Sequence, residues 1–156
     1  MVKASTSELV SFDRDFHAWV LEQIDLLKSG QFSGLDVEHL TDELRAIAMG
    51  EESEIENRLT VLLQHLLKWE FQPEGRSNSW RATILEQRTR IRRVLFRSPS
   101  LRRYPATVMA EEYGIARLRA SGETGLSLER FPSTCPYSAS QVLDENFFPN
   151  GTQIEE

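Results

Sequence analysis

The sequence feature that most constrains the fold is a long row of apolar residues at helical spacing that stops at a proline. From Val37 the row continues through Leu40, Leu44, Ile47, Ala48, Ile55, Leu59, Leu62, Leu66 and Trp69, and it ends before Pro73. Spacings of three and four place such side chains on one face of an α-helix, and proline disfavours helix in the residue before it. The pattern predicts a helix over 37–71, about 50 Å long at roughly 1.5 Å per residue. A break or kink near Met49-Gly50 stays open as an alternative, because the apolar row is interrupted there.

A second long helix is predicted after the corner at Pro73. Ser79 is the expected N-cap, and the apolar face that follows includes Trp80, Ile84, Ile91 and Leu95. If this helix packs antiparallel to the first, the numbers of facing residues add up to about 150, since both helices rise by about 1.5 Å per residue. Trp69 would then lie beside Trp80, and His65 and Lys68 would lie near Glu86.

Three further helical segments are predicted around this hairpin. The first runs from Asp13 to Ser29 and is stopped by Gly30, and another begins at Ser98-Pro99, is interrupted near Pro105 and ends at Gly122. Ser138 and Gln141 form a capping box for a short last helix. We therefore predict an all-α fold: a single-domain bundle of four to six helices around a long antiparallel hairpin, with the C-terminal segment wrapping over it.

The composition places the chain among ordinary globular proteins. It has 156 residues, of which 40% are hydrophobic and 27% charged, and this length suits one domain. No apolar run is long enough for a secretory signal or a membrane span, and the single Cys135 excludes an intramolecular disulfide. We expect a cytoplasmic protein that does not contact membranes, with one domain over 12–149 and flexible ends over 1–11 and 150–156.

Charge is distributed unevenly along the chain, whose net charge is −6. Between Arg76 and Arg103 there are nine arginines and one acid, whereas residues 36–56 hold eight acids and one arginine. The favoured interpretation is that glutamates 51, 52, 54 and 56 face Arg92, Arg93 and Arg97 across the hairpin. The alternative is nucleic-acid binding by the arginine-rich helix 81–103, including Arg88. Five or more arginines free of glutamate partners on one face would favour that alternative.

The corner HLLKWEFQPEGRSNSW, residues 65–80, is the most chemically varied stretch. His65, Lys68 and Glu86 are the candidates for a cryptic acid/base site. Trp69 and Trp80 are candidates for binding a ligand, although we favour a structural role in which they clamp the hairpin. No signature of serine, cysteine or phosphate-binding chemistry accompanies them.

Metal binding is weighed at Asp36-x-x-His39, with Asp42 and Glu43 nearby. Four-helix metal sites use such a pair from each of two helices, and the sequence has no second copy. We therefore predict no metal and no other cofactor, and assign this segment to a solvated helix start.

Three stretches together resemble one bacterial family. They are LTVLLQHLLKWEFQPEGRSNSWRATILEQRTRIRRVL with SPSLRRY, FDRDFHAWVLEQIDLLKSGQFSGLDVEHLTDELRAIA, and TGLSLERFPSTCPYSASQVLDENFFP. The family is catalogued as domain of unknown function 29, and the resemblance covers about Phe12 to Pro149. It implies an all-helical domain, and because the family has no established activity it implies no catalytic residue. Pro105 departs from the helix expected after SPSLRRY.

The function expected from these features is non-enzymatic. A complete helical scaffold without reaction machinery favours a bacterial binding or regulatory module that acts through a protein partner. The alternatives are an enzyme with a cryptic polar site around His65 and a nucleic-acid-binding protein that uses the arginine-rich helix. Oligomeric state stays open.

Overall fold

The structure, a computed structural model, describes residues 9–151, and every regular element in this range is helical. Within that range the α-helices are α1 (Phe16–Lys28), α2 (Val37–Phe71), α3 (Asn78–Arg97), α4 (Tyr104–Thr124) and α5 (Ala139–Leu143). Short 3₁₀ turns occur at Phe32–Gly34, Pro73–Gly75, Pro99–Leu101 and Leu128–Arg130. The all-α prediction is confirmed. Of the ends predicted to be flexible, residues 1–8 and 152–156 lie outside the described range.

The chain divides into two compact units, Met1–Ala48 and Met49–Glu156, which we call unit 1 and unit 2. The prediction of one domain over 12–149 stays a prediction. α2 contributes residues 37–48 to unit 1 and residues 49–71 to unit 2, and it is one continuous helix. The break considered near Gly50 does not occur, because a solvent-exposed glycine costs a helix only about 1 kcal/mol relative to alanine. The division between the units falls beside that glycine instead.

Unit 2 contains the predicted hairpin. Arg97 of α3 forms an ion pair with Glu51 of α2, and Arg58 donates a hydrogen bond to Gln87 over 3.4 Å. Higher residue numbers on one helix thus face lower ones on the other, which confirms the antiparallel register. The hairpin and α4 share a hydrophobic core, whose members from these helices include Leu59, Leu62, Leu66, Trp69, Ile84, Ile91, Tyr113 and Ala116.

The C-terminal segment completes this core. Phe131, Tyr137, Val142 and Phe148 are buried in the same cluster as the hairpin residues. Ser138 and Gln141 form the predicted capping box at the start of α5. The prediction that this segment packs over the hairpin is confirmed.

Two predicted helix ends are wrong by two or three residues. α3 is capped by Ser77 rather than Ser79, because Ser77 has extended backbone and its hydroxyl accepts the amide hydrogen of Trp80 at 3.2 Å. α4 continues past Gly122 to Thr124, and the next residue, Gly125, has the left-handed φ of 72° that suits the residue after a helix. The helix predicted from Ser98-Pro99 is interrupted just before Pro105, as expected: a 3₁₀ turn at Pro99–Leu101 comes first, and α4 begins only at Tyr104. Pro105 lies in the first turn of α4, where its missing N–H costs no helical hydrogen bond.

None of the helices in residues 9–151 combines the length and the apolar character that a bilayer span needs.

Candidate functional site

The tryptophan at the corner, Trp69, is held in the core of unit 2. Its side chain is fully buried, its ring packs on Phe148 with centroids 5.1 Å apart, and its indole N–H donates to the Gly151 carbonyl at 2.9 Å. The Arg76 Nε donates in turn to the Trp69 carbonyl at 2.8 Å. All polar groups of Trp69 are therefore engaged by the protein, as the structural interpretation of the corner expects.

Trp80 lies over the turn that makes the corner. A Cβ placed on Gly75 would come within 2.7 Å of the Trp80 ring, so a larger residue at this position would displace that ring. The Trp80 ring also contacts Lys68. The Lys68 ammonium lies 4.4 Å from the ring centroid, which is a cation–π geometry. A ligand-binding role for Trp69 and Trp80 stays a prediction, and both rings already have protein partners.

The acid that accompanies Lys68 is Glu123 of α4, not Glu86 as predicted. Lys68 is buried, and its Nζ donates to Glu123 Oε2 at 2.7 Å. That bond holds the pKa of Glu123 below its usual value. Glu86 pairs with Arg90 on its own helix, at 2.8 Å, because residues four apart are neighbours on a helix surface. The sequence could not reveal this, since it did not show that α4 packs beside α2.

His65 contacts the backbone of its own helix. Its Nδ1 lies 2.9 Å from the Val61 carbonyl and donates to it, which leaves Nε2 as the acceptor. Burial lowers the pKa of His65, which favours the neutral ring. His65 interacts electrostatically with Lys68 and Glu123, so Glu123 takes the place predicted for Glu86 beside these two residues.

The arginine-rich helix is largely occupied by partners within the protein. Arginines with a hydrogen bond, ion pair or aromatic contact are Arg76, Arg81, Arg88, Arg90, Arg92 and Arg97. Five arginines of the 81–103 region have no glutamate partner within residues 9–151, but Arg88 is buried. Four exposed ones remain, fewer than the five that would favour nucleic acid, and they are Arg81, Arg93, Arg102 and Arg103.

The predicted charge pairing across the hairpin is correct for one pair only. Arg97 pairs with Glu51, whereas Arg92 pairs with Glu145 of the C-terminal segment at 3.0 Å. Glu54 lies 3.7 Å from Arg58 one turn along its own helix, and Glu56 accepts a hydrogen bond from the Tyr104 hydroxyl. Neighbours from the same helix and from α4 therefore take acids that were expected to face Arg92 and Arg93.

Unit 1 presents an apolar surface that the sequence did not predict. Its helix α1 and the first part of α2 enclose a groove of about 350 Å³. We call this the α1/α2 groove; it is lined by Phe16, Trp19, Val20, Gln23, Ile24, Leu27, Leu40, Glu43, Leu44 and Ile47. Leu44 and Ile47 are 65% and 63% exposed. The part of the apolar row of α2 that lies in unit 1 is thus exposed to solvent.

The described part of unit 1, which contains the α1/α2 groove, has more acids than basic residues. Residues 9–48 carry eight acids and three basic residues, Arg14, Lys28 and Arg45. Glu43 lines the groove itself, next to Leu44. Exposed apolar surfaces of this kind are typical of interaction sites in proteins.

A hydrogen-bonded cluster holds the start of α2 to α1. Asp36 Oδ2 lies 2.7 Å from His39 Nδ1 and accepts the indole N–H of Trp19 at 3.1 Å. The Phe12 ring stacks on the His39 imidazole, with centroids 4.2 Å apart. The bond to Asp36 raises the pKa of His39, and the same bond lowers the pKa of Asp36. These contacts orient Trp19, which forms the floor of the groove.

The Asp36 and His39 pair does not form part of a larger ligand set. Within residues 9–151 no group of three or more His, Cys, Asp or Glu side chains is arranged to hold a metal ion. Asp42 instead pairs with Arg45 at 3.0 Å. Cys135 is half-buried, its thiol contacts the Tyr137 carbonyl at 3.5 Å, and burial raises its pKa, which disfavours the reactive thiolate.

One signal in the sequence pointed to the groove. Phe16, Ile24 and Leu27 in α1 and Leu44 and Ile47 in α2 lie on two amphipathic helices that precede Gly50, where the apolar row is interrupted. Two helices can bury only the sides that face each other, so an apolar face wider than that contact has to remain open. Only the structure shows that unit 1 is a compact unit of its own.

The family of the chain follows from comparison with known proteins. The model of the family described as Domain of unknown function DUF29 matches residues 11–148, which confirms the resemblance noted in three stretches of the sequence. No curated protein and no solved structure matches the chain. The match spans most of the chain, and this protein therefore belongs to the Domain of unknown function DUF29 family.

Proposed function

We propose that the chain is a non-enzymatic binding module of the bacterial cytoplasm that acts through a protein partner, and that the α1/α2 groove receives this partner. The observation that carries the proposal is the exposure of five large apolar side chains around one groove. They are Phe16, Ile24, Leu27, Leu44 and Ile47. Leaving such groups in water costs about 25 cal/mol for each Å² of apolar surface, a cost that a bound partner removes.

The shape and charge of the groove favour a basic amphipathic helix as the part of the partner that binds. Two helices line the groove, and an apolar helix face fits between them with side chains three, four and seven residues apart. The acids of residues 9–48 would attract lysines and arginines at the edges of that face.

The alternative functions have weaker support. An enzyme site around His65 would need Lys68 and Glu86 to meet, and these two are paired with Glu123 and Arg90. Nucleic-acid binding would need a free arginine face, and six of the nine arginines already have partners. Neither alternative uses the exposed apolar groups of unit 1.

Site-specific photo-cross-linking in the native cells tests the proposal. A photoreactive amino acid at position 44 probes the α1/α2 groove, and one at position 96 is the matched control, because Phe96 is 87% exposed but belongs to α3. We expect position 44 to cross-link to one protein through a helix rich in lysine and arginine, and position 96 not to do so. Ile47→Glu should abolish that product without changing the melting temperature, since Ile47 is exposed.

Two results would overturn the proposal. Identical cross-linked products at positions 44 and 96 would show that the groove has no specific partner. Products at position 44 that contain only a second copy of this chain would make the groove a self-association surface.

A further inference from the structure

The outer face of α4 carries apolar side chains that the fold of unit 2 leaves uncovered. The opposite face of this helix is buried in the core through Tyr113, Ala116 and Ala120. Leu118 and Ile115 lie on the outer face, where 62% and 40% of their surfaces are exposed to solvent. α4 is therefore apolar on two faces, and unit 2 covers one of them.

Two charged residues lie on this outer face, one on either side of Ile115. Glu111 precedes Ile115 by four residues, Arg119 follows it by four, and both side chains are exposed. Neither of them has a hydrogen bond or an ion pair in the described part of the chain. Because residues four apart form one ridge on a helix surface, an acid, an apolar residue and a base follow one another along that ridge.

The surface beside this ridge is open. Gly114 and Gly122 lie next to it on α4, and both are exposed. A Cβ built on either glycine would meet no other element in the described part of unit 2 within 4 Å. The outer face of α4 thus has room for a second helix.

We propose that this face of α4 binds the same face of a second copy of the chain, with the two α4 helices antiparallel. Glu111 and Arg119 each lie four residues from Ile115, roughly 6 Å along the helix axis. A two-fold axis beside Ile115 therefore places Glu111 of each copy at the level of Arg119 of the other. Leu118 and Ile115 of both copies would form the apolar centre of the interface.

The charges select this orientation. A parallel pair would set glutamate against glutamate and arginine against arginine, which is repulsive. The antiparallel pair instead forms two Glu111–Arg119 ion pairs, one at each edge of the apolar centre. The face is thus complementary to its own copy in charge, and the interface uses residues of unit 2 only. Because it consists of one helix face from each copy, we expect a weak dimer that dissociates on dilution.

Sedimentation velocity of the whole chain over about 1 µM to about 1 mM tests the proposal, and we expect a monomer–dimer equilibrium. Leu118→Glu should raise the dissociation constant about tenfold or more, since it places a charge in the apolar centre. It should leave the melting temperature unchanged, because Leu118 is exposed in the monomer. Phe96→Glu is the matched control: Phe96 is 87% exposed but lies on α3, so the dissociation constant should not change.

Charge reversal tests the antiparallel orientation. Glu111→Arg and Arg119→Glu should each weaken self-association, since each variant sets like charges opposite one another. An equimolar mixture of the two variants should associate at least as well as the wild type, because every arginine of one copy then faces a glutamate of the other.

The proposal would be wrong if the chain stayed monomeric over the whole concentration range. A dimer that Leu118→Glu weakens no more than Phe96→Glu does would also contradict it. The same holds for a mixture of the two charge variants that associates no better than either variant alone.

Discussion

Residues 40–47 and 59–69 continue one apolar row along the same helix, yet they have opposite surroundings. In unit 2, Leu59, Leu62, Leu66 and Trp69 are completely buried. In unit 1, about two thirds of the surface of Leu44 and of Ile47 is exposed to solvent. The fully buried residues in the described part of that unit are Trp19 and Gln23. The comparison teaches that a helical period identifies a face, whereas the number of neighbouring elements decides whether the face is covered.

The physical reason lies in how many elements each unit contains. In unit 2, α3, α4 and the C-terminal segment all contribute side chains to the core around α2. In unit 1, α2 is accompanied by α1 and the Phe32–Gly34 turn. Two helices therefore leave part of their apolar faces in water.

The largest expected difference between the regions concerns alanine substitutions in the two parts of α2. Trp69→Ala should lower the free energy of unfolding by about 3 to 5 kcal/mol, because it removes a buried aromatic and its hydrogen bond. Leu44→Ala should change it by no more than about 0.5 kcal/mol, because its side chain is exposed. Denaturant unfolding of both variants checks this. Similar losses would mean that the groove of unit 1 is part of a core.

A smaller difference in the free energy of unfolding is expected when the acid of one ion pair in each unit is replaced. Glu123→Gln leaves the buried Lys68 ammonium without its acid and should cost about 1 to 2 kcal/mol, reduced by the exposure of Glu123. Asp42→Asn in unit 1, whose partner Arg45 is exposed, is the control and should cost less than about 0.5 kcal/mol.

The effect of Glu123→Gln should depend on pH. Because the pKa of Glu123 is lowered in the folded protein, its stabilising contribution is present above the ordinary value of about 4.3 and is lost as the pH falls through the folded value. The wild type and the variant should therefore converge in stability in acid. A difference that persists at low pH would contradict the role given to the Lys68 pair.

The smallest expected effect is a difference in pKa between two histidines, one in each unit. His39 in unit 1 should titrate above the ordinary pKa of about 6.5, because it is bonded to Asp36, and His65 in unit 2 should titrate below it, because it is buried. An NMR titration of the imidazole signals measures both. Asp36→Asn should lower the pKa of His39 and leave that of His65 unchanged. Two histidines that titrate together would remove this contrast between the regions.

These shifts have opposite consequences for stability. The contribution of His39 is complete below its ordinary pKa and is lost as the pH rises through the raised folded value. The contribution of His65 is complete above its ordinary pKa and is lost as the pH falls through the lowered folded value.

Much of the fold could be predicted from local patterns, whereas the candidate sites could not. The period of α2, the antiparallel register of α2 and α3 and the cap at Ser138 all follow from residues close in sequence or from the rise of a helix. The pairing of Lys68 with Glu123 depends on contacts between residues 55 positions apart. Arg88 was predicted as part of a surface patch, and its burial follows from the path of the segment over it.

The sequence by itself determined where helices form, which face of each is apolar, and that Pro73–Gly75 turns the chain between α2 and α3. These are short-range properties of backbone sterics and side-chain spacing. Only the tertiary structure decided that the row of α2 is covered after Gly50 and open before it, and that Arg88 is buried in the core. Burial and charge pairing depend on which distant segments meet, and no local pattern contains that information.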